Sequence, residues 1–594
     1  MFVEGIKNVS SSNLKRRIRM KKLSKLFVTL LVGVFALQTQ AVSYVKSAPL
    51  SEVVGTRVGL VQDGAVQELP IITWGGDIAT IVANGNQVNT AVGSLFDKEG
   101  LKFKIVREDV FPKQLEGYIS GKTPYLRGTV GQINMALELL SKDPRTKPVV
   151  VYTLTRSVGG DCLAVKQGIN TIKDLKGKTI AVNAYSPHVE FLGTVLDSAG
   201  LMMTDVKIVW TKDLTGSKET PGQAFLSDPT VDACFAISPD ANALTSGGKV
   251  GDGSEGSAKG ARILFSTKTA SNVIYDVYAV RADYLASHPD NVAKFVHALL
   301  MAEENLSLLM GNSSTRKAEY DKTLAAAGKI ILDSEQATGD IIGLYGDCEY
   351  VGYVGNIKFL ATPTEVRRLE TLSSEIQEAF IGLGLLSGKA ELAKAGFDYE
   401  ALKKGLIKTV AVVAPKFQAA EVAKVIDQKS KQGDSGSIFS FEILFSPNQN
   451  TFNSELYKAD FDRAIELAAT YGGAILTIEG HADPMQYIDK KAANAPELVL
   501  SRLRQSAKNL SLTRAIALRE SLLNYGKLKM VIMDPSQFAV VGHGFEKPKT
   551  GLKNGEPVRP KDQQEWASNM RVVFELIPVG EVESQVFTPA GGGK

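Results

Sequence analysis

A polar segment late in the chain separates two stretches that each alternate strand-like and helix-like patterns. This segment, residues 426–437, is rich in Gly, Ser and charged side chains and lacks apolar periodicity, which is typical of a flexible linker. The 594 residues are enough for roughly three to five domains. We therefore expect an α/β unit over 67–425, a second unit over 438–579 and a disordered tail over 580–594.

In the first unit, short β-rich runs alternate with helical patterns, which predicts mostly parallel sheets with crossover helices. The predicted strands are Ile71–Trp74, Lys102–Arg107, Val149–Leu154, Thr179–Val182 and Lys207–Trp210. The predicted helices are Val88–Glu99, Gln132–Leu140 and Val189–Ala199, followed by a mainly helical stretch from Asn291 to about Leu406.

The second unit has its own pattern of strands and helices. Its predicted strands are Phe439–Phe445, Ala474–Glu479, Phe538–Gly542 and Val572–Ile577. Its predicted helices are Tyr457–Tyr471 and Leu512–Tyr525.

Positive charge is concentrated at the N-terminus. Residues 1–41 carry a net charge of +7, which leaves −3 for the rest of a chain whose total is +4. A mildly acidic body has no bulk charge with which to hold a polyanion, so we do not expect a nucleic-acid partner.

The same N-terminal residues have the three parts of an export signal. A basic stretch precedes the apolar segment Leu26–Leu37, and small residues allow cleavage after Ala41. A start at Met20 would give a signal of conventional length. We expect a periplasmic or cell-envelope location, and the sequence leaves open whether the signal is cleaved or kept as an anchor.

Three cysteines follow the signal: Cys162, Cys234 and Cys348. An odd count leaves at least one of them unpaired within a monomer. Burial as small apolar side chains is the expected role, and a Cys162–Cys234 bridge stays open.

Four motifs of the first unit occur in a characteristic order. They are Trp74-Gly-Gly-Asp77, Ile172-Lys-Asp-Leu-Lys-Gly-Lys-Thr-Ile-Ala-Val182, Val231-Asp-Ala-Cys-Phe-Ala236 and Tyr284-Leu-Ala-Ser-His-Pro-Asp-Asn-Val-Ala-Lys-Phe295. In this order they resemble periplasmic substrate-binding proteins of the nitrate/taurine/thiamine-precursor type. The resemblance implies two α/β lobes of the type II bilobed kind, joined by crossover strands and closing over a small ligand.

The ligand cleft is expected beyond the carboxyl ends of the strands, where helix N-termini also favour anions. Trp74 can stack on a ligand there, and Ser186 can cap the following helix and touch the ligand. Core packing, helix capping and turn formation remain alternatives for these residues. The candidate ligand-binding residues are Trp74, Gly75, Gly76, Asp77, Thr129, Tyr185, Ser186 and Asp240. His188 with Glu190 is too weak a pattern to predict a metal site.

A second set of motifs lies after residue 438. Ile478-Glu-Gly-His-Ala-Asp483 and Asn509-Leu-Ser-Leu-Thr-Arg-Ala515 are followed by Val540-Val-Gly-His-Gly544 and Asn569-Met-Arg-Val-Val573. Together they resemble the OmpA-type peptidoglycan-binding domain, which predicts an α+β fold for this unit.

The resemblance implies that Asp483 and Arg514 hold the diaminopimelate of the peptidoglycan stem peptide. Such a pairing is chemically sensible, because a carboxylate matches the ammonium group and a planar guanidinium matches the carboxylate. Asn509, Asn569 and Arg571 fall in the same motifs and are expected to support the site.

Two features depart from the OmpA-type pattern. The segment 484–508 is longer than usual and has a helical pattern, so it would either cover the site or extend the surface. Met570 stands where a basic residue is common, which weakens one secondary contact.

No catalytic, metal or phosphate-cradling motif is present in either unit. We therefore expect a non-enzymatic exported protein, without a cofactor, that binds a small-molecule solute and is anchored to the cell wall. An ABC permease with its ATPase is the implied partner besides peptidoglycan. The alternative is a wall-anchored structural or signalling scaffold whose bilobed unit binds a protein.

Overall fold

The computed structural model describes most of the chain between the predicted export signal and the predicted tail. The described residues are 42–62, 64, 66–410, 417, 418, 422, 426, 439–449, 454–531 and 533–578. The export signal, all but residue 426 of the predicted linker, and the tail lie outside them. None of the helices in these ranges is long and apolar enough to cross a bilayer.

Ten β-strands, β1 to β10, form the two lobes of the first unit, together with the short strands β11 and β12. In chain order they are Gln67–Ile71, Phe103–Arg107, Tyr125–Thr129, Pro148–Ser157, Asp161–Val165, Thr179–Asn183, Lys207–Thr211, Ala233–Ile237, Arg262–Ser266, Tyr275–Arg281, Cys348–Tyr350 and Ala393–Lys394.

In the described part of this unit, the helices α1 to α15 surround these strands. They are Leu50–Val53, Asp77–Ala83, Leu95–Lys98, Phe111–Ile119, Val130–Leu140, His188–Ser198, Pro221–Ser227, Ser238–Leu244, Ala282–Ser287, Pro289–Gly311, Lys317–Leu332, Thr338–Gly346, Gly352–Asn356, Leu369–Gly382 and Tyr399–Leu402.

Two separate sheets define the lobes. Lobe one contains the order β11-β4-β10-β3, with β12 beside β4 and the parallel pair β1–β2 nearby; lobe two contains β7-β6-β8-β5-β9. The chain passes from lobe one to lobe two between β4 and β5, and returns between β9 and β10. The mixed α/β prediction is confirmed.

The prediction of mostly parallel sheets is wrong for the strands at the crossovers. β10 runs antiparallel to β3 and β4, and β5 runs antiparallel to β8 and β9. Each of these strands enters its sheet from the other lobe and therefore runs against its neighbours, whereas β6 is parallel to β7 and β8 because helices connect them.

One hydroxyl fastens the two crossovers to each other. Thr267 Oγ1 lies 2.8 Å from Ser157 Oγ and accepts hydrogen bonds from the backbone N–H groups of Gly159 and Asp161. Helix α14 packs against both α5 of lobe one and α6 of lobe two. The lobes are thus joined at the crossovers and along one helix.

The C-terminal unit is a four-stranded sheet in the order β13-β18-β14-β15. Its strands β13 to β18 are Phe439–Leu444, Ala474–Gly480, Phe538–Gly542, Leu552–Lys553, Glu556–Pro557 and Arg571–Pro578, of which β16 and β17 form a small separate hairpin. Its helices α16 to α19 are Lys458–Thr470, Met485–Ala492, Glu497–Leu528 and Gln563–Ser568.

This unit packs directly on the second crossover. The Asn272 N–H donates to the Thr470 carbonyl at 3.2 Å, and the Gly473 N–H donates to the Thr269 carbonyl at 3.2 Å. Gly473 has no room for a side chain, because a Cβ would overlap the Lys268 carbonyl. The backbone of the C-terminal unit is therefore fitted against the chain that returns from lobe two to lobe one.

Several sequence predictions differ from the structure. The predicted helix Val88–Glu99 is reduced to Leu95–Lys98, because Gly93 has a φ of +80° and Ser94 caps the helix by accepting from the Asp97 N–H. The first strand ends at Ile71, before the turn that contains Trp74.

The predicted helix Leu512–Tyr525 is longer in the structure and extends over Glu497–Leu528, because the inserted segment forms its first turns. The inserted segment also forms the separate short helix Met485–Ala492. In the structure no disulfide joins Cys162 to Cys234, and all three cysteines are buried.

A close approach between α18 and β14 gives the first testable prediction. A Cβ at Gly480 would overlap the Ser511 carbonyl, so Gly480→Ala is expected to destabilise the C-terminal unit by about 1–3 kcal/mol through overpacking. Gly396→Ala is the matched control, since its Cβ would meet open space. Chemical denaturation should separate the two variants, and equal stabilities would contradict this packing.

Candidate functional site

A buried ion-pair network forms the floor of the cleft in lobe one. Arg127, on β3, donates from Nε and Nη2 to both carboxylate oxygens of Asp77 at 3.1 and 2.8 Å. Its Nη1 donates to Asp276 on β10 at 2.7 Å, and the Thr155 hydroxyl donates to the other oxygen of Asp276 at 2.9 Å. All four polar side chains are buried.

Burial dominates the electrostatics of this network. Burial raises the pKa of Asp77 to about 6, and Arg127 offsets only part of that effect. The pKa of Asp276 is also raised by burial. Burial opposes the charge of Arg127, but the two carboxylates outweigh it and raise the pKa of the guanidinium. Arg127 is thus a charged group that its own neighbours already neutralise.

Trp74 lies at the junction of the lobes. Its indole Nε1 donates to the Thr155 hydroxyl at 3.0 Å, which connects the ring to Asp276. The outer edge of the ring packs on Gly160 in the first crossover, where a Cβ would overlap it. The predicted position of Trp74 beside the cleft therefore fits the structure, with the indole packed against protein.

Gly75 and Gly76 lie where neighbouring atoms of lobe one come close to the main chain. A Cβ at Gly75 would overlap the Leu344 carbonyl, and one at Gly76 would crowd the Thr155 side chain. The Tyr350 hydroxyl donates to the carbonyl of Gly75 at 2.7 Å. Packing within lobe one is therefore enough to explain why both positions are glycine.

Two hydrogen bonds cross the cleft and hold the lobes together. The Ser238 hydroxyl of lobe two donates to Asp347 of lobe one at 2.8 Å. The Gln132 side chain of lobe one donates to the Tyr185 carbonyl of lobe two at 3.0 Å. The two lobes are therefore in direct contact in this structure.

The remaining cleft candidates are engaged in local contacts. Thr129 caps α5 in a capping box with Gln132. Tyr185 has a φ of +62°, and its hydroxyl is bonded to the backbone of Ala48. Ser186 is buried and donates to the Asn183 carbonyl.

Asp240 is half-buried in the first turn of α8. Its charge raises the pKa of the nearby buried Cys234 thiol, after the larger effect of burial.

Two buried titratable residues stand at the start of α6. His188 Nε2 lies 2.8 Å from Asp161 Oδ1. Glu190 reaches across to lobe one and lies against Gly131, at the N-terminus of α5. Burial raises the pKa of Glu190 well above its usual value, although the Thr129 hydroxyl and the Gly131 amide partly oppose this.

The second candidate site surrounds Arg514 on α18, whose side chain is only 1% exposed. Its Nε, Nη1 and Nη2 donate to the carbonyls of Gln449, His481 and Ser446 at 2.8, 3.2 and 3.1 Å. Its guanidinium carbon lies 5.2 Å from the centroid of the Phe445 ring. Neutral carbonyls thus fix the guanidinium without cancelling its charge.

Asp483 follows β14 and provides the matching negative group. It is half-buried, and its Oδ1 accepts from the Met485 N–H at 3.1 Å. Burial raises its pKa, whereas a hydrogen bond from the Trp566 side chain and the charge of Arg514 lower it. Burial lowers the pKa of Arg514 to about 10, and Asp483 partly restores it. The predicted pair is therefore close enough to interact electrostatically.

A second layer of polar residues supports this pair. His543 Nε2 lies 2.7 Å from Glu479 Oε2, and its ring stacks on His481 at 5.3 Å. Burial, together with the nearby Arg571, lowers the pKa of His481 to about 2, so its ring is neutral. The His481 N–H donates to the Arg571 carbonyl, which ties this layer to β18.

The other residues predicted from these motifs are not all close to Arg514 and Asp483. Asn569 is buried and contacts Thr550 through both of its side-chain polar atoms. Asn509 is exposed and bonded to Gln505 on α18. Five residues separate Asn509 from Arg514, or about 140° around a helix, so the structure does not bring Asn509 to the site. Met570 is buried.

The inserted segment is folded against a neighbouring loop. The Tyr487 hydroxyl lies 3.0 Å from Glu556 and accepts from Arg504 at 2.7 Å. Tyr487 also packs against Phe545 and Leu500 in a small apolar cluster. The insert extends the surface next to Asp483 as a structured element.

Sequence reasoning missed several residues of both sites. In the cleft these are Arg127, Asp276, Asp161 and Asp347, and near Asp483 it is Trp566. The available signal was a charge inside an apolar strand, as in Tyr-Leu-Arg-Gly-Thr for β3 and Tyr-Asp-Val-Tyr for β10. A buried charge requires a partner, but the sequence does not say which one.

Comparison with known families identifies part of the first unit. Residues 94–306 match the family described as NMT1/THI5 like. We refer to residues 94–306 as the NMT1/THI5-like region. It spans roughly a third of the chain and contains parts of both lobes. No curated protein matches the chain.

Several solved structures are also similar to the chain. They include the alkanesulfonate-binding protein SsuA from Xanthomonas axonopodis pv. citri bound to MOPS, with 15% identity over 56% of this chain and 100% of that chain and a TM-score of 0.38. The periplasmic aliphatic sulphonate binding protein SsuA from Escherichia coli has 17% identity over 55% and 96%, with a TM-score of 0.36. The desulfurization enzyme DSZB has 16% identity over 55% and 95%, with a TM-score of 0.32.

The ion pairs of Arg127 with Asp77 and Asp276 give a second prediction. Arg127→Met would leave Asp77 and Asp276 buried without a cation, which should lower the free energy of unfolding by about 3–5 kcal/mol. Arg57→Met is the control, because Arg57 is exposed. Denaturant titration of the whole chain measures both variants. If Arg127→Met lowered the free energy of unfolding by less than about 1 kcal/mol, the ion pairs would not stabilise the fold as we expect.

Proposed function

We propose that this chain is an exported solute-binding protein of the cell envelope that is also anchored to peptidoglycan. The observation that carries the solute-binding part is the closed polar cleft between two lobes joined by two crossovers. The NMT1/THI5-like region supplies residues from both sides of that cleft. A membrane permease with its ATPase is the partner that we propose to receive the solute.

Hinge closure is the mechanism that this architecture supports. The crossovers are short, and the Thr267 hydroxyl holds them together, so the lobes can rotate about one compact region. The cross-cleft bonds Ser238–Asp347 and Gln132–Tyr185 are few and made by side chains. A solute that offers better contacts to both lobes would stabilise the closed state further.

The peptidoglycan-binding part is proposed for the C-terminal unit through its resemblance to OmpA-type domains. The pairing of Asp483 with Arg514 supports it. Arg514 has five N–H donors, and the carbonyls of the described residues accept from three of its nitrogens. One N–H remains on each terminal nitrogen, which suits a bidentate contact with a carboxylate, while Asp483 offers a partner for an ammonium group.

A wall anchor would keep the solute-binding lobes near the envelope. A tethered receptor works at a high effective concentration relative to a free one. No step of this proposal requires bond breaking, so we propose a non-enzymatic role.

The scaffold alternative is favoured by one observation: the lobes are already closed by their own side chains. A scaffold needs no solute, whereas a solute-binding protein gains stability from its ligand by mass action. We expect at least one small organic solute to raise the Tm of the signal-free chain by several degrees in a thermal-shift screen. A screen of anions, cations, zwitterions and neutral solutes without any stabilising compound would favour the scaffold.

Peptidoglycan binding is tested by sedimentation with purified sacculi. The whole signal-free chain should sediment with them, and Asp483→Asn and Arg514→Lys should each reduce the bound fraction at least tenfold. Both changes preserve size while removing the carboxylate charge or the planar donor pair. Asn509→Ala is the matched control, because Asn509 is exposed on another face of α18. Unchanged sedimentation of the two site variants would refute the assignment.

A further inference from the structure

We infer that the cleft accepts an organic cation, with Glu190 as the group that receives its positive end, and that it excludes sulfonates and similar anions. This inference rests on the proposed solute-binding function and names the class of solute.

The charges around the cleft are mostly negative. Five carboxylates interact with one another electrostatically across it: Asp77, Asp161, Glu190, Asp276 and Asp347. The fixed cations that act on them are Arg127 and Lys268. Because Arg127 is shared between two of the carboxylates, the cleft keeps a negative excess.

Glu190 is the carboxylate that lacks a cation. Its side chain is 1% exposed, and among the described residues neither carboxylate oxygen makes a hydrogen bond of good distance and angle, although the Thr129 hydroxyl and the Gly131 amide lie near enough to lower its pKa in part. His188 Nδ1, two residues earlier on the same helix, is likewise buried without a partner in the described part of the chain. Buried polar groups are nearly always satisfied, so such a group calls for a partner that the protein itself does not provide.

The position of Glu190 also argues against an anionic solute. The N-terminus of α5 is where lobe one would attract an anion, because unpaired N–H groups and the helix dipole point there. Glu190 of lobe two lies against that helix end at Gly131. A sulfonate would have to displace this carboxylate and would then face Asp276.

The surroundings favour an organic cation over a metal ion. In the part of the chain that the structure describes, no three His, Cys, Asp or Glu side chains converge to hold a metal. Trp74 is hydrogen-bonded into the same network through Thr155. An indole beside carboxylates is the combination that recognises ammonium and amidinium groups, since the ring attracts a cation and the carboxylates accept its hydrogen bonds.

The experiment compares matched organic ions on the whole signal-free chain. Isothermal titration uses alkylammonium ions of two to six carbons and benzamidinium, beside alkanesulfonates of the same chain lengths. At least one cation should bind, and the sulfonates should not. Glu190→Gln should weaken cation binding at least tenfold, whereas Glu116→Gln, an exposed change on lobe one, should leave it unchanged.

A second variant keeps the test valid if Glu190→Gln fails to fold. Asp347→Asn removes a half-buried carboxylate at the cleft mouth and should also weaken cation binding several-fold. Sulfonate binding without cation binding would overturn the inference and leave the solute-binding proposal intact, as would cation binding that neither variant affects. Failure of every cation, sulfonate and neutral solute would overturn both.

Discussion

The ion pairs of Arg127 are the constraint on which the cleft depends. This one side chain connects the start of α2 at Asp77, the strand β3 and the return strand β10 at Asp276. In a buried site, the desolvation cost of such charges is met only when the geometry is close to ideal. The floor of lobe one therefore has one well-defined arrangement, and Trp74 is attached to it through Thr155.

The same return strand connects the cleft to the C-terminal unit. The crossover that leads into β10 contacts Thr470 and Gly473 of the C-terminal unit by backbone hydrogen bonds. Rotation of the lobes would have to change the dihedral angles in this crossover, where the C-terminal unit is packed. The two proposed binding functions thus share a segment of main chain, and a rigid wall-bound unit would fix one end of the hinge.

Local sequence patterns predicted the regular elements well but not their partners. The strand Phe538–Gly542 has the predicted bounds because its apolar run is delimited by turn residues, whereas Val88–Glu99 was misjudged because Gly93 and Ser94 restart the helix. Trp74 and Asp77 could be singled out as candidates because they follow the first strand, and the structure connects both to Arg127 or Thr155. Arg127 was missed, since its role depends on carboxylates 50 and 149 residues away, and no local pattern encodes such a pairing.

Two of the buried arginines, Arg127 and Arg514, show how the same residue type can have different roles. Arg127 is neutralised by two carboxylates of the same lobe. Its charge therefore stabilises the fold around the cleft and is not available to a ligand. Arg514 is held by three carbonyls, which orient the guanidinium without neutralising it; burial lowers its pKa, and the charge of Asp483 restores it only in part. A cation fixed in this way is preorganised for an external carboxylate. Glu190 is the mirror case, a buried carboxyl group whose raised pKa reflects the cost of its negative charge, and a positive group placed beside it would offset that cost.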